Sequence, residues 1–420
     1  MSMIETETQT ATAPIEKMGR ALRQNTLVRI IEQFGADHAE AHLKDLVIDE
    51  VGPGRAVTIN GREVVNFGSD SFLGLDQHPE VRRAIRAGLD RWGSHNGASR
   101  AFASVRANVE AEADLADWLG VEATLIYPSV MLANLSAIPA LVGRQDVVVL
   151  DEQAHHSMQE AAKIARANGG RVATFAHNDA QDLARALDAL APYRCALVCI
   201  DGVYSMGGDI APLAELNAVA LGRSAVLYVD DAHGTGVLGE QGRGTVREAL
   251  GGYDNTIVVG SLSKAFSCAG AFLACPESFI RLLKIRSGSY VFGGPVVPPY
   301  LEAIKAVLAI LRSPEYPVLR DRLDAHSRRV ASGLAELGLV VIGGATQILS
   351  VLVGDEAHAL NAGKFLFDRG YYVQSVLFPA VPYHSAVLRI QCNANHDDRS
   401  IAGLLDAFAA LARVIPLPRR

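Results

Sequence analysis

Thr256–Ala274 reads TIVVGSLSKAFSCAGAFLA and carries one charge, the ammonium of Lys264, among small and apolar residues. Burying an unpaired ammonium is costly. A lysine placed there either reaches solvent or serves chemistry that needs an amine easily deprotonated or covalently engaged. On either side of it, Thr256–Gly260 and Gly270–Ala274 are short runs of β-branched and small apolar residues, which read as strands.

Working outward, the same kind of run recurs at Thr124–Tyr127, Val147–Leu150, Val172–Phe175, Ala196–Ile200 and Ala225–Val229. These runs are nearly continuous in apolar residues, as strands covered on both faces should be. Amphipathic segments such as Val109–Leu119, Gln159–Asn168 and Gln181–Leu190 lie between several of them. The alternation predicts an α/β fold whose large domain, residues 67–297, is built on a mostly parallel seven-stranded sheet.

Upstream, residues 1–66 hold a polar tail, a helical pattern from Ile15 to Val47 and the stretch RAVTINGREVVNF, whose Asn60-Gly61 is a two-residue hairpin signal. Downstream, RSGSYVFGGPVVPPY punctuates the chain with Gly and Pro before residues 298–420. There the pattern predicts helices near Tyr300–Leu311, Val318–Leu337, Ala357–Arg369 and Ser400–Val414. Short strands are expected near Leu339–Ile342, Ile348–Val353, Tyr371–Leu377 and Val387–Gln391, which makes a smaller C-terminal α+β domain.

Composition narrows the function classes. Of 420 residues, 49% are hydrophobic and 20% charged, a globular balance rather than a disordered one. The net charge of −7 argues against a nucleic-acid-binding surface. No apolar run reaches membrane-spanning length. The opening MSMIETETQTATAP lacks the basic and apolar regions of a secretory signal. Five cysteines, none in a CxxC pair, read as reduced thiols of a cytoplasmic protein.

Ligands of open parallel sheets sit beyond the carboxyl ends of the strands. Four expected strands end there in chemistry-bearing stretches: DEQAHHS from Asp151, DGVYSMGGD from Asp201, DDAHGTG from Asp230 and SLSK from Ser261. Taken singly, an Asp after a strand is commonly a helix N-cap, and a lone His a hydrogen-bonded packing residue. Together they supply an amine, carboxylates, a flat imidazole and hydroxyls. That set suits pyridoxal 5′-phosphate (PLP). The lysine engages the aldehyde, a carboxylate favours the protonated ring nitrogen, and Ser261 and Ser263 with backbone N–H groups cup the phosphate.

YVDDAHGTGVLGEQGRG, DGVYSMGGDIAPL and GSLSKAFSCAGAF, together with NFGSDSFLGLDQHPEV, GSHNGASRA and VLRIQCNANH, resemble the α-oxoamine synthases, a fold-type-I family of PLP-dependent transferases that includes serine palmitoyltransferase and 8-amino-7-oxononanoate synthase. The resemblance implies decarboxylative Claisen condensation of a small amino acid with an acyl thioester, carried on coenzyme A or an acyl carrier protein, to give an α-aminoketone. It implies a homodimer with shared active sites, and no metal. It assigns Lys264 as Schiff-base lysine and proton shuttle, Asp230 as partner of the ring nitrogen, His233 as the group near the ring hydroxyl, and His155 as the stacked histidine, with His156 its rival. Ser205 falls near the cofactor hydroxyl or caps a turn. Arg389 falls where the substrate carboxylate is anchored, its plain alternative being an exposed strand residue.

Several positions depart from the family pattern. Val130 and Met131 stand where relatives place Gly and an aromatic in the phosphate cup. Gly293 stands where a Ser or Thr reaches the partner's phosphate, and Leu377-Phe378 where some members carry Arg-Pro. Asp70 replaces an Asn, and SRAFASVRANVEAE is one residue shorter than its counterpart. These departures bear on the substrates more than on the cofactor, and are compatible with a specialised-metabolite member. Two other readings share Lys264 and Asp230: an aminotransferase or lyase of the same fold, and a non-catalytic synthase subunit.

Overall fold

The computed structural model describes residues 13–41, 45–344 and 346–419. The first twelve residues of the polar start lie outside these, as does Leu43 of the N-terminal helical pattern. That pattern is not one helix. It is two, Pro14–Arg23 and Thr26–Asp37, with Asn25 capping the second through its side-chain oxygen, which accepts from the N–H groups of Leu27 and Val28. An Asn at this position stabilises a new helix start better than it continues an old one.

Strands β1 (Ile48–Val51), β2 (Ala56–Ile59) and β3 (Arg62–Asn66) form an antiparallel ribbon. Asn60 and Gly61 join β2 to β3 with φ of 48° and 74°. Both central residues are left-handed, as the type I′ hairpin turn requires.

The large sheet holds β4 (Ala123–Tyr127), β5 (Val147–Asp151), β6 (Arg171–Phe175), β7 (Ala196–Asp201), β8 (Ala225–Asp230), β9 (Thr256–Ser261) and β10 (Ala271–Cys275). Their spatial order is β4-β10-β9-β8-β7-β5-β6, and only β10 runs antiparallel to its neighbours. The seven strands expected from the sequence are all present. Alternate side chains serve two hydrophobic cores, one on each face: Val147, Val149, Val198 and Val229 in one, Val148, Leu150, Cys199 and Tyr228 in the other. Burial on both faces is why these strands read as continuous apolar runs.

The C-terminal sheet contains β11 (Val341–Gly343), β12 (Ile348–Gly354), β14 (Gln374–Val376) and β15 (Ala386–Gln391), in the order β11-β12-β15-β14. The single strand expected over Tyr371–Leu377 is divided. Its first two residues, Tyr371 and Tyr372, form β13, which pairs in parallel with Val65 and Asn66 of β3. The chain crosses from one sheet to the other at Val373, so the N-terminal ribbon is tied to the C-terminal part. Among the described residues no helix is long and apolar enough to cross a membrane.

One buried ion pair positions the sheet edge that leads into the candidate site. Arg100 bonds Glu112 through both terminal nitrogens, at 2.6 and 2.8 Å. The same two side chains hold both backbone groups of Ile126 in β4: Arg100 donates to its carbonyl at 3.2 Å and Glu112 accepts from its N–H at 2.7 Å. Removing one partner of such a pair strands the other charge. Glu112→Gln is therefore expected to cost about 3–5 kcal/mol, read as a lower urea midpoint, and the double replacement Arg100→Met/Glu112→Leu should recover most of the loss.

Candidate active site

The carboxyl ends of β7 and β8 place two carboxyl groups side by side. Asp201 and Asp230 are register partners, so their side chains leave the sheet on the same face. Both are buried. Burial, reinforced by the charge of Asp230, pushes the Asp201 carboxyl well above the usual range. Its Oδ1 accepts the backbone N–H of His155 at 3.0 Å. Asp230 is gripped by donors instead: Asn134 Nδ2 at 2.7 Å on Oδ2, and the N–H of Ala232 at 3.2 Å on Oδ1. Asn134 is held in turn, donating to Ser157 Oγ at 2.8 Å and accepting from the Tyr228 hydroxyl at 2.9 Å. Asp231, one residue on, serves a different purpose. It takes the N–H and hydroxyl of Thr245 at 2.9 and 2.8 Å, and burial raises it to about 7.

Lys264 follows β9. Burial lowers its ammonium from the ordinary lysine value, Arg389 lowers it further, and Asp70, Asp230 and Asp201 oppose the shift. Among the described residues its Nζ makes no hydrogen bond or ion pair. Ser261 Oγ accepts the N–H of Ser263 at 3.2 Å and lies 3.1 Å from the Ser263 hydroxyl. Ser261 is buried and Ser263 exposed. Helix Val130–Leu141 begins at the cap Ser129, whose Oγ accepts from Leu132 at 3.2 Å. The N–H groups of Val130 and Met131 belong to the first turn and have no partner within the helix. Gly293 is exposed and follows helix Gly288–Phe292, whose Ser289 donates to the carbonyl of Leu132 at 2.6 Å.

The histidines separate clearly. His155, exposed in the single chain like His156, caps helix His156–Ala167, accepts the N–H of Ser157 at Nδ1 (3.3 Å), and is lowered by desolvation of its ring, with the charges of Asp230 and Lys264 acting on it in opposite senses. His156 is exposed and stands 3.6 Å from Glu160, on the outer side of its helix. His233 is buried and held well below the ordinary histidine range by burial and by the cations of Lys264 and Arg389, so its imidazole is neutral.

Arg389 is 4% exposed, which rules out the alternative of an exposed strand residue. It lies on β15, where Nη1 donates to Gln374 Oε1 of the neighbouring β14 at 3.1 Å, and it reaches segments of the other two sheets: Nε donates to the Ser205 carbonyl at 2.7 Å and Nη2 to Asp70 Oδ1 at 3.4 Å. Gln391 also donates to Asp70. Ser205 thus meets the cluster through its backbone oxygen, and Asp70 stands against the guanidinium.

The donor set fits PLP. An aldehyde is matched by an amine without a partner at Lys264, a protonated ring nitrogen by the buried carboxylate of Asp230, and a phosphate by first-turn N–H groups and the Ser261–Ser263 hydroxyls. Sequence reading placed Asp201 at this sheet edge without a role, and missed Asn134 as a member of the site. The signal for Asn134 is an amide inside the otherwise apolar helix VMLANLSAIPAL, a place where asparagine is unfavourable without a tertiary partner.

A second missed cluster braces the loop that carries Ser205. His177 lies between two carboxylates, Nδ1 at 3.0 Å from Asp151 and Nε2 at 2.9 Å from Asp209. Asp151 ends β5, and Asp209 stands in the loop that follows β7. Burial disfavours the charged imidazole, but the bonds to Asp151 and Asp209 outweigh it and raise His177 to about 9.

The family described as aminotransferase class I and II matches residues 62–408. The chain is similar to the 8-amino-7-oxononanoate synthase of Geobacter sulfurreducens, 39% identical over 365 residues that cover 86% of this chain and 91% of the relative. It is similar to that of Methylococcus capsulatus, 40% identical over 355 residues covering 84% and 90%. Among solved structures, serine palmitoyltransferase from S. paucimobilis, with bound PLP and myriocin, has a TM-score of 0.88 at 28% identity, covering 93% of this chain and 98% of that one. The Sphingomonas wittichii serine palmitoyltransferase has a TM-score of 0.88 at 29% identity, covering 93% and 99%.

Because the folded-state value of His177 is raised, the stability it contributes is fully present below pH about 6.5 and is lost as pH rises through about 9. The thermal midpoint of His177→Gln should therefore fall furthest below that of the unsubstituted chain near pH 6, with the gap narrowing by pH about 9.5. A gap independent of pH would contradict the ionic clamp.

Proposed function

The chain belongs to the aminotransferase class I and II family, and from that premise we propose that it works as a PLP-dependent α-oxoamine synthase, condensing a small amino acid with an acyl thioester. The carbon–carbon bond forms between the amino acid's α-carbon and the acyl carbon. The thiol and carbon dioxide leave, and a proton returned to the α-carbon completes an α-aminoketone. The observation that carries this reading is the amine of Lys264, half-buried, without a hydrogen-bond or ion-pair partner among the described residues, and lying in the fields of Asp70, Asp230 and Arg389.

When bound, PLP supplies an aldehyde for amino groups and a ring that accepts the electron pair left on the α-carbon. Lys264 would hold the cofactor, Asp230 its ring nitrogen, and Ser261, Ser263 and the first-turn N–H groups of Val130 and Met131 its phosphate. His155 would cover the ring, with His233 and Ser205 near its hydroxyl. Lys264 Nζ would take the α-proton of the substrate and later return it. Its burial suits that work, since a lysine with a lowered pKa is a usable base near neutral pH. Asn134 keeps the Asp230 carboxylate aimed by a fixed hydrogen bond. Neutral His233 donates or accepts without adding a cation beside Lys264. Arg389 anchors the substrate carboxylate through its guanidinium, with Asp70 and the Ser205 carbonyl fixing the plane of the fork.

The working unit is a homodimer with shared sites. Supporting this are Phe102 and Phe292, 89% and 87% exposed, and the apolar side chains of Ile15, Met18 and Leu22 on the first helix, all open in the single chain. Free cysteines fit a cytoplasmic setting.

Borohydride reduction of the protein loaded with PLP should label Lys264, and Lys264→Ala should lose the label, the visible absorbance and thiol release, the last by at least about 10²-fold. Turnover retained by that variant would sink the assignment. Asn134→Leu removes a charge-assisted hydrogen bond from Asp230 and should weaken PLP binding about tenfold, measured by absorbance titration. Sedimentation should give twice the chain mass.

A further inference from the structure

Beside Arg389 lies a cavity of about 460 Å³. One wall is helix Thr26–Asp37, through Ile30, Ile31 and Phe34. The opposite wall is Leu360 with the segment Tyr372–Tyr383, which presents Val376, Leu377 and Phe378. Two of its lining residues join it to the candidate active site. Gln374 accepts from Arg389 at 3.1 Å and donates to the Gly68 carbonyl at 3.1 Å, two residues before Asp70. Met206 follows Ser205, the residue whose carbonyl takes Arg389 Nε, and its own carbonyl is held by Ser350 Oγ at 2.6 Å. The cavity therefore opens next to where the reacting amino acid is anchored.

Its chemistry is one-sided. Apolar side chains dominate the lining, and among the described residues neither Lys nor Arg contributes to it. The charged group it does contain is a carboxylate, Glu356, whose Oε1 accepts the N–H of His384 at 2.8 Å and whose Oε2 lies 3.6 Å from that imidazole. Methylene groups entering such a space gain from leaving water. A carboxylate entering it would find no counter-charge and a like charge already present, which costs far more than an apolar end gains.

Resting on the acyltransferase reading, we propose that this cavity receives the acyl chain of the thioester and selects one with an apolar, uncharged end. That separates the chain from a synthase whose product, as in 8-amino-7-oxononanoate, ends in a carboxylate. Leu377 and Phe378, which line the cavity, stand where some members of the family carry Arg-Pro, and they are the residues that make the selection.

The test pairs decanoyl thioester with its ω-carboxylated counterpart, each on coenzyme A and on carrier protein, offered to the PLP-loaded enzyme with glycine, alanine or serine. Thiol release and calorimetric binding are both read. The expected result is at least about a tenfold preference for the decanoyl thioester in kcat/KM and in affinity. Leu377→Arg should narrow or reverse that preference. Leu360→Trp should weaken the decanoyl thioester about tenfold while leaving the acetyl thioester nearly unchanged. Thiol release and binding without preference, or Leu360→Trp weakening both chain lengths alike, would overturn the cavity assignment alone. No release or binding with any thioester, acetyl included, would overturn the acyltransferase reading, and the cavity assignment with it.

Discussion

Two carboxyl groups in register at the ends of neighbouring buried strands are the constraint around which this molecule is arranged. Asp201 and Asp230 face the same way from β7 and β8. Like charges so close, in a place that water does not reach, cannot both be accommodated cheaply. The fold resolves the conflict by giving the two different environments. Asp201 accepts one backbone N–H, and burial pushes its carboxyl well above the usual range. Asp230 receives a side-chain amide that is itself locked by Ser157 and Tyr228. The difference gives two identical residue types distinct environments: one carboxyl is pushed up by burial, and the other is oriented by a fixed amide.

From that pair the rest of the site follows by charge balance. Lys264 sits within reach of the fields of Asp70, Asp230 and Asp201, which offset part of its burial, while Arg389 pushes the other way. His233, between two cations, is left neutral. The His177 clamp, by contrast, lies between Asp151 and Asp209 and is charged. Two histidines of the same intrinsic basicity thus end up in opposite states: burial and neighbouring cations hold His233 down, whereas bonds to two carboxylates outweigh burial at His177.

The site is also where the three sheets meet. Asp70 follows the N-terminal ribbon, Ser205 belongs to the loop after β7, and Arg389 lies on β15 of the C-terminal sheet, yet one guanidinium binds all of these segments. The loop after β7 is pinned from several sides: Asp209 by His177, the Gly208 carbonyl by Thr346, and the Met206 carbonyl by Ser350. Gly208 has φ of 72°, and a Cβ there would lie 2.3 Å from the Ile348 carbonyl oxygen, so only glycine permits the approach. Rigid suspension of this kind is what lets residues from distant parts of the chain hold one substrate geometry.

Local signals in the chain were enough for the seven strands of the large sheet, the Asn60-Gly61 turn, and the gathering of Asp151, Asp201, Asp230, Ser261 and Lys264 at one sheet edge, because strand periodicity and the parallel-sheet rule act on neighbouring residues and on chain order. Three kinds of fact lay outside that reach. The break at Gln24-Asn25 and the division of Tyr371–Leu377 between two sheets depend on which segment offers a pairing partner. The depth of Arg389 depends on segments more than 180 residues away in the chain. The roles of Asn134 and His177 exist only once side chains from separate strands and helices converge, since a hydrogen bond or a counter-charge has no signature in the residue that awaits it. Residue types and their order thus determined the scaffold and the chemical inventory of the site. Packing across the fold decided which carboxyl is pushed up by burial and which histidine is charged, because those depend on burial and distance rather than on sequence.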